Sequence, residues 1–509
     1  MPISDQSGGF FRNTAIIFLL IAISVLFVRS FYTVEPEMHD ARKKWIVASE
    51  LAETNDPALI VSWDHHSSRW GVVIPAYLAV KVGGQNLITY LGLVLSLFAV
   101  TFSTLIICGK RDAGPGLLFA FGVLLFFEPM FFRASTQLQP FMFGVFYLTA
   151  SLWLLCRYLS TANVVLLALS ALFAFFAYGA KELYLFFIPG LLLLLFLRSG
   201  FKACFYYCVW LFAFLFIEIL IFNSLVDGLT YGRIEFLRSG KHVSKMTGGT
   251  NVASSSRFLI EYYNSLPYPQ KGFEFLFGRW HRLPLFNQIL VFLSTAYVAF
   301  LVFKGKITRM GDFSLGIIFL TYSYSILLSI TPLSISPLIP LQPLWEKYLT
   351  PVMPYFMYIG FLMCWQIVTV QKMFPRGKVV WCINGLALAF AVYALVLDSP
   401  WTYKYKQQDY PVKQAMLWQY EKLNHALEDG AGICAGATLN LINAKVLLKL
   451  YMNEEGILER LVLEKDRNNG LRVLHLNNFP YQDIENFIPY SDYNKRISKQ
   501  ACIDTFANQ

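Results

Sequence analysis

The stretch Thr33 to Lys44, "TVEPEMHDARKK", crowds Glu35, Glu37, His39 and Asp40 into six positions and follows them with the basic triplet Arg42 to Lys44. A carboxylate in such a place can accept a proton from a hydroxyl group. An ordinary Asp is a weak base at neutral pH. It would act only as the hydroxyl proton becomes acidic in the transition state, or with its own pKa raised by burial. Cations that could hold an anion stand elsewhere in the chain. They are Arg69 in "SSRWG", Lys181 beside Glu182 in "FAYGAKELYLFFIPG", and Lys347 beside Tyr348 in "LQPLWEKYLTPVMPYF". Each also has a plain structural reading. Asp40 can be a helix-start acid favoured by the helix dipole. Lys181 can be a snorkelling side chain with a neighbouring acid, and Lys347 an interfacial anchor.

The elements that must position these groups are membrane spans. The chain has 509 residues, 56% hydrophobic and only 15% charged. A soluble chain carries roughly 25% charged residues. The net charge of +10 comes in short clusters between apolar runs, a pattern that orients helices in a bilayer and speaks against nucleic-acid binding. A span needs about 20 apolar residues. That ruler gives about eleven: 13–31, 87–108, 115–132, 141–157, 163–179, 183–198, 204–224, 286–303, 313–331, 349–370 and 379–397. The first is read as a retained anchor, with Arg12 before it and no small-residue cleavage site after it.

One set of short loops holds Arg12, Lys110, Arg111, Arg157, Arg198, Lys202, Lys304, Lys306, Arg309, Lys372, Arg376 and Lys378; the alternate set holds only Arg133, Lys181 and Lys347. The first set is therefore cytoplasmic, with the N-terminus inside and the C-terminus outside. Segments 32–86, 225–285 and 398–509 are then external. Within the first, "HDARKKWIVASELAE" reads as an amphipathic helix on the membrane surface, and "VVIPAYLAVKVGG" as a second interfacial helix. Residues 1–397 form the transmembrane domain. The tail, with strand-like "AGICAG", "ERLVLEKD" and "LRVLHL" around the helical "LNLINAKVLLKLYM", reads as a small external α/β domain. Cys108, Cys156, Cys204, Cys208, Cys364 and Cys382 lie in or beside apolar runs and read as small buried hydrophobes. Cys434 and Cys502 in the tail could pair as a disulfide outside the cytoplasm.

The unusual groups thus gather on the external side. Glu218, in "LFIEILIF", stands out as an acid well inside a span and is expected to pair within the bundle. Acids in the first loop, facing Lys181 and Lys347 at one membrane depth, suit a lipid-linked phosphate: its tail lies in the bilayer and its anionic head is held by Lys and Arg.

The order of these motifs resembles the GT-C superfamily of polyprenyl-phosphate-sugar glycosyltransferases, near the bacterial protein-mannosyltransferase and aminoarabinose-transferase branch. Four stretches carry the resemblance: "HDARKKW" after the first span, "SSRWGVVIPAYLAVKVGG", "YGAKELYLFFIPG" and "EKYLTPVMPYF". Together they cover roughly residues 10–370. The resemblance implies inverting transfer of a sugar from a polyprenyl phosphate, undecaprenyl in a bacterium, to an envelope acceptor that could be lipid A, a polysaccharide, another lipid or a protein. Asp40 would be the general base, with Glu37 or Glu35 as substitutes. Lys181, Lys347 and Arg69 would stabilise the leaving phosphate. Trp63, His65, His66, Trp70, Tyr348 and Glu182 would surround the sugar or acceptor. The chain departs from the family pattern in three places. The paired acids of the first loop are broken by His39 and Ala41. Gln139 stands near an expected acid, which argues against a divalent metal bridged by two carboxylates. Lys347 replaces Arg and loses the bidentate fork. Other classes remain open: a surface-polysaccharide polymerase or ligase, a lipid or glycan transporter, and a membrane scaffold for the tail.

Overall fold

The computed structural model describes residues 6–30, 39–62, 68–225, 265–277, 280–281, 283–335, 338–340, 346–370, 375–396, 432–434 and 473–475. Helices dominate. In chain order they are α1 (Gln6–Ser30), α2 (His39–Thr54), α3 (Leu59–Ser62), α4 (Trp70–Gly83), α5 (Leu87–Ala113), α6 (Leu118–Phe126), α7 (Pro129–Ala134), α8 (Pro140–Thr161) and α9 (Val164–Ala180). They continue with α10 (Ile188–Ser199), α11 (Phe201–Leu225), α12 (Tyr268–Phe277), α13 (Leu285–Phe303), α14 (Asp312–Ile330), α15 (Met353–Val370) and α16 (Arg376–Val396). Short 3-10 segments, Glu182–Phe187 and Glu346–Val352, lead into α10 and α15.

Local sequence explains many of the boundaries. Asn86 caps α5 by accepting from the Thr89 N–H, and Gly114, at φ 79°, ends it. Asn163 caps α9 by accepting from the Val165 N–H. Pro140 opens α8, where its missing N–H would have no intrahelical partner.

Among the described residues, seven helical segments are long and apolar enough to cross a membrane: Leu87–Ala113, Pro140–Thr161, Glu182–Ser199, Phe201–Leu225, Leu285–Phe303, Asp312–Ile330 and Tyr348–Val370. The chain is an integral, polytopic α-helical membrane protein. The peripheral α11 exposes Phe205, Trp210, Phe212, Phe216 and Leu220. Such a surface suits a lipid environment, where apolar side chains need no cover. Four expected spans fall outside these seven. Those over 13–31, 163–179 and 379–397 coincide with α1, α9 and α16. The one over 115–132 is broken: α6 stops at Phe126, and α7 starts again at Pro129. Glu128 lies in the break, and the proline ring cannot continue the preceding turn.

Small residues hold the bundle together. Between α8 and α9, Ser151 Oγ donates to the Ser170 carbonyl and Ser170 Oγ to the Ser151 carbonyl, each at 2.8 Å. Such interhelical bonds are worth about 0.6 kcal/mol each in a membrane. Gly190 lets α10 approach the α14 backbone closely; an added Cβ would lie 2.6 Å from the Phe319 carbonyl oxygen.

The segment over 32–86 differs from the expected pair of surface helices. Trp45, Ile46, Val47 and Ala48 are consecutive and all buried, so α2 is enclosed rather than lying on a surface with one wet face. It packs on α4. The α4 helix does keep an open face, with Ile74, Leu78 and Val82 exposed.

Strands are few. Pro332–Ile335 (β1) and Leu338–Pro340 (β2) form an antiparallel hairpin after α14, where only a loop was expected. In the tail, Gly432–Cys434 (β3) within "AGICAG" pairs in parallel with Val473–His475 (β4) within "LRVLHL". A parallel pair requires a crossover connection; the residues between these strands, like most of 225–285, lie outside the described part.

Candidate functional site

The site is built where α4 begins and α9 ends. Trp70 and Gly71, the first two residues of α4, press against Gly179 and Ala180, the last two of α9. A Cβ on Gly71 would strike the backbone of Ala180, Phe176 and Gly179; one on Gly179 would strike the Trp70 ring. Only glycine permits this approach on both sides. It brings the start of α4, preceded by Arg69, to the end of α9, followed by Lys181. The contact is pinned by Tyr147, whose hydroxyl donates to the Gly71 carbonyl at 2.8 Å.

Lys181 caps the C-terminus of α9 in an extended conformation, where a cation is favoured by the helix dipole. The side chain is 5% exposed. Its ammonium lies 3.8 Å from the centroid of the Tyr348 ring and 4.8 Å from that of Phe141. Aromatic faces attract a cation most strongly where water is excluded. Tyr348 sits in the 3-10 segment before α15, and its carbonyl accepts from the Tyr324 hydroxyl at 2.7 Å. Tyr324 in turn stacks on Phe187 with centroids 4.3 Å apart.

Arg69 is 8% exposed, and its carbonyl accepts from the Val72 and Val73 N–H groups. Arg69 and Glu182 both lie within electrostatic reach of the Tyr184 hydroxyl. The structure therefore brings Arg69, Lys181, Glu182 and Tyr348 to one end of the bundle from three distant parts of the sequence. The Lys347 backbone adjoins them in the same 3-10 segment. Asp40 is the second residue of α2, the helix that packs on α4. Glu35, Glu37, Trp63, His65, His66 and Cys502 lie outside the described residues, and with Cys502 so does the disulfide reading.

One expected pocket residue has another role. Trp70 packs against Phe175 and Phe176, with centroids 5.0 and 5.6 Å away. Its indole N–H donates to Glu218 at 2.5 Å. Glu218 is thus engaged within the bundle as expected, through an aromatic N–H, and Trp70 belongs to the packing behind the site.

Three residues escaped the sequence reading. Lys44 is fully buried, although a basic triplet suggests a solvated edge. The signal lay in its spacing: 41, 44, 48 and 51 share one helical face, and all four are buried. Glu128 is also fully buried. It accepts from the Met130 N–H (3.2 Å), the Phe131 N–H (2.6 Å) and Asn287 Nδ2 (2.8 Å), capping the short α7 and tying it to α13. An acid followed by proline inside the apolar run "FFEPMFF" was its signal. Phe141, the second ring over Lys181, looked like any span residue.

No protein-family model matches the chain, and no curated protein matches it. Its function is therefore argued from the arrangement itself. That arrangement offers buried positive charge at one end of the bundle, beside α4, on which α2 with Asp40 in its first turn packs. Among the described residues, no group of three His, Cys, Asp or Glu side chains is placed to hold a metal ion.

Proposed function

We propose that the chain is an inverting membrane glycosyltransferase, similar to the GT-C enzymes, that moves a sugar from a polyprenyl phosphate to an envelope acceptor. The observation that carries this reading is that Arg69 and Lys181, both buried, flank the close contact of α4 and α9 at Gly71 and Gly179. A cation held where water is scarce attracts an anionic headgroup strongly, and a phosphodiester supplies one.

In the reaction, the acceptor hydroxyl gives its proton to Asp40, or to Glu37, as its oxygen attacks the anomeric carbon. The bond from that carbon to the phosphate oxygen breaks on the opposite face, and the polyprenyl phosphate leaves with one more negative charge than it had as a diester. Lys181, Arg69 and Lys347 stabilise that added charge. A rigid, poorly hydrated cation is effective because it needs no reorganisation as charge develops. Glu182 and Tyr348 would orient the sugar or acceptor, with Trp63, His65 and His66 from the first loop. The positive-inside pattern places this chemistry on the external face, the periplasmic side of a bacterial inner membrane. The N-terminus would be cytoplasmic, and the tail 398–509 an external α/β domain. Engagement of Glu218 by Trp70 weakens the transporter alternative, which would use a deep acid as a carrier of ions.

The test is transfer by the purified protein in nanodiscs from radiolabelled polyprenyl-phosphate sugars to an envelope extract, beside Asp40→Asn and Lys181→Ala. Transfer by the parent and loss in both folded variants supports the reading. Full transfer by Asp40→Asn moves the base to Glu37 or Glu35. A parent that neither transfers from nor binds any such donor rejects it.

A further inference from the structure

Tyr184 holds a hydroxyl that the fold does not use. The residue is 1% exposed, and its Oη has no hydrogen-bond partner among the described residues. A buried unpaired hydroxyl costs about 1–3 kcal/mol, so most such groups find a partner. The surrounding tyrosines do: Tyr147 donates to the Gly71 carbonyl, Tyr324 to the Tyr348 carbonyl and Tyr355 to the Val145 carbonyl.

The Tyr184 ring is fixed in place. It rests on Gly144, where any Cβ would overlap it, and it lies against Phe187 and Tyr324 with centroids 6.0 and 6.5 Å away. Its backbone N–H donates to the Lys181 carbonyl at 3.0 Å, so the hydroxyl belongs to the same turn as Lys181. The Arg69 and Glu182 charges both reach it. A rigid O–H within reach of the Arg69 charge is suited to an anionic oxygen that Arg69 also holds.

We propose that Tyr184 is a binding residue for the anionic head of the ligand, its hydroxyl donating to a non-bridging phosphate oxygen beside Arg69. The inference rests on the glycosyltransferase reading and names one more contact in the same site. It gives the site a neutral, directional donor beside a charged one. Such a donor favours a tetrahedral phosphate with an oxygen at that point over an anion of other shape.

The experiment titrates the full-length protein in nanodiscs with undecaprenyl phosphate, and separately with the uncharged polyprenol, for the parent and Tyr184→Phe. Removing only the hydroxyl keeps the ring on Gly144. The expected result is an unchanged or higher thermal midpoint without lipid, together with at least about tenfold weaker binding of the phosphate and unaltered binding of the polyprenol. Parental affinity in Tyr184→Phe would overturn the role of Tyr184 alone. A lower midpoint without lipid would also overturn it, because the hydroxyl would then serve the fold. A parent that prefers the phosphate no more than the polyprenol would overturn the inference together with the function it rests on.

Discussion

Arg198 and Lys181 stand at opposite ends of one stretch, Glu182–Ser199, and keep different company. Arg198 is exposed at its end and engaged by the protein through all three of its nitrogens. It pairs with Asp312 at 2.8 Å and donates to the Thr308 and Met310 carbonyls. Nearby, Asp112 accepts from the Ser314 N–H, the Ser314 hydroxyl and the Tyr358 hydroxyl. At the other end Lys181 is buried with its ammonium over two aromatic rings, Arg69 is buried close by, and the Tyr184 hydroxyl is unpartnered among the described residues. Charges at the first end close loops and cap helices. The cations at the second lie beside a glycine-mediated helix contact and, for Lys181, two aromatic rings, a setting suited to holding an anion.

The comparison breaks most easily at the two cations. Lys181→Ala should lower transfer by about 100-fold or more, the scale of losing one fixed electrostatic group at a transition state. Arg198→Ala should leave transfer at the parental rate. Initial rates per folded protein check both, and equal effects would erase the distinction between the ends. Next in size is Gly71→Ala. Its Cβ meets backbone atoms, which cannot rotate away, so a cost of about 1–3 kcal/mol is expected. Transfer should also fall by roughly tenfold or more as the start of α4 moves off the end of α9. Gly316→Ala is the comparator: its Cβ meets chiefly the Leu152 side chain, and the variant should retain transfer. If Gly71→Ala kept full activity, the glycine contact would be packing without consequence for the site.

The helices were easy to read from the sequence because a span must satisfy its own backbone. The "FFEPMFF" break was missed because hydropathy averages over one acid and one proline. The α2 helix itself was legible in "HDARKKWIVASELAE", but its burial was not. Period shows which residues share a face; only tertiary packing shows whether the opposite face is also covered. For the site, Lys181 and Arg69 were singled out by type and position, yet the helix contact they flank depends on Gly71 and Gly179, whose partners are about a hundred residues away. Trp70 was expected near the sugar by resemblance, and its link to Glu218 was not legible because that acceptor lies 148 positions along the chain.

Smaller effects belong to the Arg198 end. The N-cap position of α14 is Gly311, which has no side chain to cap with, and Asp112 supplies the acceptor from α5 instead. Asp112→Ala should cost about 1–2 kcal/mol, the scale of losing a helix cap, with no change in ligand affinity. The Arg198–Asp312 pair should be worth less still. Its side chains are 27% and 39% exposed, so solvent screens the attraction and a coupling of at most about 1 kcal/mol is expected. Asp312 also lies in the first turn of α14, where the dipole favours an acid without Arg198, so Arg198→Ala leaves that part intact. A double-mutant cycle on Arg198 and Asp312, followed by unfolding at low and high salt, isolates the pair, and its coupling should shrink as salt rises. A coupling that resisted salt would mean the pair is shielded in the membrane-embedded protein. This end would then hold a protected charge too, and burial alone would no longer distinguish the site.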